Sequence, residues 1–248
     1  TQSGFVNPVS TAVFKNIRSR EYKFIVTENY QFLPEYGKHI IVLLKSDEFT
    51  SKVEYISDVK AVFRNYFDVK YLSHQNIFFV PLPYLGHVNF TPPLIPIMER
   101  NIDIFFAGQV TYGDRKTLSK VISRLQLERN DLNIVFYKTD DFFTGLNIYT
   151  YLRYLGQSKI ALCPRGASIE TCRHFESLRH GCVPISTPLP DVWYLHDAPI
   201  QIINQWDELP ILLNNLFDKD KKHELDHLSN IGTTFWEQKL SPVTVANY

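Results

Sequence analysis

Residues 159–187 read KIALCPRGASIETCRHFESLRHGCVPIST, and their order of apolar, small and charged residues predicts a strand, a turn, a short helix and a second strand. Lys159–Cys163 is an apolar run of the kind buried in a parallel sheet, and it stops at Pro164, whose missing N–H cannot continue a ladder. Arg165, Gly166, Ala167 and Ser168 turn the chain. Ser168 fits an N-cap, and Glu170 falls in the first helical turn, where a carboxylate suits the positive end of the helix dipole. A helix start beside a strand end is an anion site. In the helix, predicted over Glu170–His180, Cys172, Phe175 and Leu178 recur on one face, while Arg173, Glu176 and His180 recur on another. The pattern predicts that the first face packs and the second is open to solvent or ligand. Gly181 suits the C′ position, and Val183–Ser186 resumes as a strand.

The same alternation extends outward from this segment. Ile102–Ala107 reads as a strand, Lys116–Leu127 as a helix, Ile134–Tyr137 as a strand, and Ile148–Leu155, Ile200–Ile203 and Trp206–Phe217 continue the series. Alternation of this kind implies βαβ units and a parallel sheet with helices on both faces. Upstream, Tyr22–Val26, Ile40–Leu44, Val59–Phe63 and Ile77–Val80 are four short strand-like runs, with a helical possibility near Phe49–Ile56. Prolines at positions 81, 83, 92, 93 and 96 make 81–96 an extended connector. The expected fold class is therefore α/β with two Rossmann-like halves, residues 1–95 with the connector and residues 96–248. A polar helical tail, Lys219–Gln238, closes the chain, anchored by Phe235 and Trp236.

The 248 residues suffice for one large domain or two small ones, and 44% apolar with 21% charged residues is ordinary globular composition. A net charge of zero argues against nucleic acid as a partner or an anionic membrane as a surface, since both reward a basic excess. The three cysteines, Cys163, Cys172 and Cys182, form no C-x-x-C pair and read as small buried residues of a reducing compartment. No run approaches the ~20 apolar residues of a membrane span, and TQSGFVNPVS at the start lacks a signal-peptide pattern. Asn89-Phe90-Thr91 has the glycosylation spacing, but Pro92 follows it.

Three elements together resemble the donor-nucleotide half-site of exostosin-like glycosyltransferases: the apolar strand ending in Cys163-Pro164-Arg165-Gly166, then Arg173-x-x-Glu176, then Gly181-Cys182-Val183-Pro184-Ile185. Asp103-Ile104-Phe105-Phe106-Ala107-Gly108 followed by Arg115 is similar to the opening of the same domain in that family, and Val62-Phe63-Arg64-Asn65-Tyr66 to a segment of its N-terminal half. The likeness spans roughly residues 55–190; fucosyltransferase-like enzymes share the Arg-x-x-Glu and Gly-Cys-x-Pro elements. It implies a GT-B arrangement, two Rossmann-like domains facing across a cleft, with a C-terminal helix that returns to the first domain. It also implies a nucleotide diphosphate sugar as donor, a uridine one, and inversion at the anomeric carbon. Family members in animals and plants are tethered in the Golgi. The expectation here is a soluble protein of the cytoplasm or another reducing compartment, or of the Golgi lumen if the chain is a trimmed piece.

The candidate donor-binding residues are Gly108, Arg115, Arg165, Gly166, Arg173 and Glu176. Guanidinium groups offer a planar fork of donors to a diphosphate, glycines allow close backbone approach, and an ionised carboxylate can accept from both ribose hydroxyls. The competing reading of Arg165, Arg173 and Glu176 is a set of helix-surface ion pairs. Trp193 and Tyr194 read as a sugar platform or as core aromatics, the commoner case. Asp140-Asp141 is adjacent rather than spaced as Asp-x-Asp, and neighbours on a strand point apart, so no metal or other cofactor is expected. A base for the acceptor hydroxyl is sought at strand ends of the first half, where Glu28, Asp47 and His87 are candidates and nothing selects among them. The sequence thus predicts a metal-independent glycosyltransferase acting on a glycan acceptor. A purine-nucleotide-sugar enzyme and a non-catalytic nucleotide- or glycan-binding module remain as alternatives.

Overall fold

A computed structural model describes residues 21–45, 52–82, 93–111, 113–141, 144–166, 168–218, 220 and 222–247. Two all-parallel sheets organise them. The first holds β1 (Lys23–Thr27), β2 (Gly37–Leu44), β3 (Val59–Arg64) and β4 (Ile77–Phe79), in the order of the chain. Its core is aliphatic, with Ile40, Val42, Leu44, Val59 and Val62 fully buried. Of the helix expected near Phe49–Ile56, residues 49–51 lie outside the described residues and 52–55 are not helical; a single 3-10 turn, Ile56–Asp58, leads into β3.

The second sheet holds β5 (Ile102–Gln109), β6 (Ile134–Thr139), β7 (Ser158–Leu162), β8 (Val183–Ser186) and β9 (Gln201–Ile202). Between them run α1 (Asp114–Glu128), α2 (Ile148–Gly156) and α3 (Cys172–Arg179). After β9 come α4 (Leu209–Leu216), α5 (Lys222–Phe235) and α6 (Pro242–Asn247). Alternation along β5 sets the layering. Ile104 and Phe106 pack with Leu118, Val121, Ile122 and Leu125 of α1, while Phe105 and Ala107 pack with Leu155 of α2. Consecutive buried residues are what a parallel strand covered on both faces requires. The strand order is β6-β5-β7-β8-β9. The chain steps from β5 outward to β6 and then crosses to the other side of β5, so the order reverses between β5 and β7, the position at which doubly wound sheets open a crevice beyond their carboxyl ends.

Three local readings are corrected. The helix after β7 starts at Cys172, not Glu170, with Thr171 rather than Ser168 as its N-cap. Thr171 N–H donates to His174 Nδ1 at 3.1 Å, the reciprocal half of a capping box supplied here by histidine. Glu170, freed from the helix dipole, is 1% exposed and accepts the Tyr194 hydroxyl on both oxygens at 2.9 Å. The supposed open face of α3 is closed, for Glu176 and His180 are as buried as Phe175 and Leu178. Trp206–Phe217 also divides, into a 3-10 turn at Trp206–Glu208 and α4, whose first turn takes Pro210.

The C-terminus of α3 is as expected. Gly181 has φ +65°, its N–H donates to Leu178 O at 3.1 Å, and Cys182 N–H donates to Ser177 O at 2.9 Å, the paired bonds of a Schellman motif. The connector is fastened by Arg100, a residue that the sequence reading passed over. Its Nε donates to Ile95 O at 3.0 Å and its Nη1 to Ser158 O at 2.8 Å, tying the chain before β5 to the start of β7.

Candidate functional site at the sheet switch point

The strand ends at the β5–β7 reversal carry most of the residues singled out above. β5 ends in Ala107-Gly108-Gln109. Gly108 has φ +149°, a conformation open to glycine, and a Cβ built there would fall on Arg173 Nη2. That nitrogen donates to Ala107 O at 2.6 Å, and the guanidinium lies 5.2 Å from the centre of the Phe106 ring. Arg173, two residues into α3, is thereby laid across the tip of β5. Its Nε is buried and has no hydrogen-bond partner among the described residues.

Arg115, near the start of α1, joins the two strand ends. It is 7% exposed, with Nη1 donating to Gln109 O at 3.2 Å and Nε to Arg165 O at 2.9 Å. A Cβ on Gly166 would lie 3.5 Å from Arg115 Nη2 and 3.4 Å from Thr171 Cγ2, so backbone, arginine and helix start converge there. Arg165 itself is exposed. The six sequence candidates therefore differ in what they offer. Arg165 presents its guanidinium outward, Arg173 keeps one buried donor unspent, and Arg115 commits two of five donors to backbone carbonyls, as a staple does. At Gly108 the Arg173 guanidinium occupies the space a Cβ would take, whereas at Gly166 a Cβ would meet only ordinary contacts.

Glu176 lies one turn deeper. It is 3% exposed and accepts the Tyr151 hydroxyl of α2 at 2.6 Å. Burial, with the Glu176 carboxylate beside it, raises the Tyr151 phenol well above its ordinary range. The seam around Phe105, Ala107, Tyr151, Arg173 and Ser177 has no room for a water molecule. Glu176 is thus enclosed with partners rather than displayed.

His174 and Ser186 belong to the same place and carried no weight in the sequence reading. His174 Nε2 lies 2.9 Å from Ser186 Oγ, which donates to Cys163 O at 3.1 Å. Burial pushes the His174 pKa down to about 4, so the ring is neutral. The signal that could have found it is Thr171-x-x-His174, a capping-box spacing with an unusual third residue. Burial likewise pushes the thiols up, Cys163 and Cys172 to about 12 and Cys182 to about 11.

Of the base candidates, Glu28 follows β1, with its exposed carboxylate 3.9 Å from Lys45 Nζ. Asp47 and His87 lie outside the described residues, as does Asn89. Trp193 is half-buried and donates to Phe79 O at 2.8 Å, whereas Tyr194 is fully buried. Asp141 spends its carboxylate on the N–H of Thr144 at 2.8 Å. Among the described residues no helix is long and apolar enough to cross a membrane.

No family model and no curated protein matches the chain. Solved structures do. The chain is similar to the glycosylation-associated protein Gap123 complex from Streptococcus agalactiae, with TM-score 0.50 and 12% identity over 95% of this chain and 57% of that one. It is also similar to the GtfA/B complex, with TM-score 0.51 and 8% identity over 86% of this chain and 56% of that one. At these identities the likeness is one of fold, a mixed α/β chain with two parallel sheets consistent with a GT-B-like glycosyltransferase fold. The chain spans a little over half the length of either structure.

Proposed function

We propose that this chain is a glycosyltransferase that binds a nucleotide diphosphate sugar at the β5–β7 switch point. The observation that carries the reading is the meeting, at one sheet reversal, of an exposed arginine, a second arginine with an unspent buried donor and the N-terminus of α3. The resemblance of the same segments to exostosin-like enzymes agrees with it, and so does the GT-B-like fold. In this reading the acceptor hydroxyl oxygen bonds to the anomeric carbon as the bond to the diphosphate oxygen breaks. The electron pair leaves on the diphosphate, and the hydroxyl proton passes to a base of the first half, with Glu28 the candidate among the described residues. Arg165, Arg173 and the α3 amides neutralise the leaving group without a metal, and Arg115 holds the turn that presents Arg165. The donor is a uridine diphosphate sugar and the transfer inverts, on the strength of the family resemblance.

The proposed architecture is the two-domain one, residues 1–95 and 96–248, with the C-terminal helix returning to the first domain. Val245 of α6 shares a small cluster with Val80, against which Leu43 and Phe63 also pack. The test is incubation of the full chain with a panel of uridine and guanosine diphosphate sugars, with and without candidate glycans, following nucleotide release. Release from a uridine sugar supports the reading, release from a guanosine sugar favours the fucosyltransferase-like alternative, and tight binding with no release in any arm leaves a non-catalytic module.

A further inference from the structure

The turn that carries Arg165 and Gly166 is held at both ends by one histidine. At its start, the Cys163 carbonyl accepts the Ser186 hydroxyl at 3.1 Å, and at its end Thr171 N–H donates to His174 Nδ1 at 3.1 Å. The two ends meet through the 2.9 Å contact between His174 Nε2 and Ser186 Oγ. His174 Nδ1 lies 3.1 Å from Thr171 N and 3.0 Å from Thr171 O, so it meets both backbone groups of Thr171, accepting from the N–H in one tautomer and donating to the carbonyl in the other. His174 is fully buried, and its pKa of about 4 keeps the ring neutral at neutral pH.

A helix cap alone would need only the Thr171 bond. Packing alone would need no hydroxyl at residue 186, the last residue of β8. The link through Ser186 does something neither explains, for it fixes the end of β7 relative to the first residues of α3. We infer that His174, relayed by Ser186, is a positioning residue that holds the Arg165–Gly166 turn in place. It touches no ligand. Its consequence for donor binding rests on the function proposed above, whereas its effect on the turn does not.

Arg165 is exposed and precedes Gly166, so the bond between them is a tryptic site whose cleavage reports local opening of the turn. Trypsin is applied to the full ligand-free chain, and the Kd for uridine diphosphate is measured by calorimetry on the same samples. Losing one buried hydrogen bond should raise opening by roughly five- to tenfold. Ser186→Ala is expected to speed cleavage at this bond by that factor and to weaken uridine diphosphate similarly, with circular dichroism unchanged. Ser186→Thr, which keeps the hydroxyl, restores both. His174→Gln keeps an acceptor for Thr171 N–H and loses the ring's reach, so it cleaves faster than wild type even if Ser186→Ala does not fold. Wild-type cleavage at this bond in Ser186→Ala and His174→Gln overturns the inference. Faster cleavage in the variants, beside no nucleotide binding by the wild type, upholds the brace and removes the donor reading instead.

Discussion

Arg173 Nη2 donates to the carbonyl of Ala107 at 2.6 Å, so the first turn of α3 is clamped to the tip of β5 across the sheet's reversal. The clamp needs Gly108 beside it. A Cβ at residue 108 would meet the guanidinium and force a side chain into a φ of +149°. Gly108→Ala should therefore destabilise the fold by about 1–3 kcal/mol and displace Arg173. Urea unfolding measures the first effect and uridine diphosphate affinity the second; a variant of wild-type stability and affinity would show that the clamp is dispensable.

Tyr151 and Glu176 separate two roles that the sequence merged. Tyr151→Phe takes a donor from a buried carboxylate, and the expected loss of stability is about 1–3 kcal/mol. Glu176→Gln keeps the shape and removes the charge. If the carboxylate also serves the ribose, that variant weakens nucleotide binding by about 1–3 kcal/mol, while Tyr151→Phe does not. Equal nucleotide Kd values for wild type and Glu176→Gln would assign Glu176 to internal packing alone.

His174 and His180 give the fold a pH dependence with a defined sign. Burial lowers both pKa values to about 4, the cations Arg179 and Arg100 adding to the effect at His180. The unfolded chain takes up these protons near pH 6.5 and the folded chain only near 4. Stability is therefore full above 6.5 and falls as pH drops toward 4, on the order of 3 kcal/mol for each histidine. Urea midpoints at pH 7.5, 6 and 5 should decline in that order, and a flat profile across this window would contradict the buried neutral assignment.

The parallel strands and their helices were legible because covered strands read as unbroken apolar runs between turn residues, as in Ile102–Ala107 and Lys159–Cys163. The Schellman end at Gly181 was legible for the same local reason. What was hidden depended on partners distant in sequence. Glu170 looked like a helix-start carboxylate until Tyr194, 24 residues on, claimed it. Glu176 looked exposed by helical periodicity, yet α2 covers it through Tyr151. Arg115 reads as a phosphate ligand, and its bond to the Arg165 carbonyl, 50 residues away, is a contact that no spacing rule reveals.

Leaving-group chemistry offers a further prediction. With Asp141 engaged by Thr144 and three arginines near the strand ends, turnover with a donor and acceptor should persist in excess EDTA, and Arg165→Ala should lower it by about tenfold or more, as loss of one charge-stabilising donor does. Activity abolished by EDTA and restored by Mn²⁺, beside a near-normal Arg165→Ala, would reassign the step to a metal.

Titration calorimetry of uridine diphosphate into the wild-type chain and into Arg165→Ala tests the central claim most directly. Arg165 is exposed, so its removal should leave the fold intact, and the loss of a charged hydrogen bond to phosphate should weaken binding by about 1.5–3 kcal/mol, roughly ten- to a hundredfold in Kd. The account predicts saturable binding by the wild type and that loss in the variant. Absence of binding for every nucleoside diphosphate at millimolar concentration, or equal affinity in both proteins, would contradict a donor site at the β5–β7 reversal.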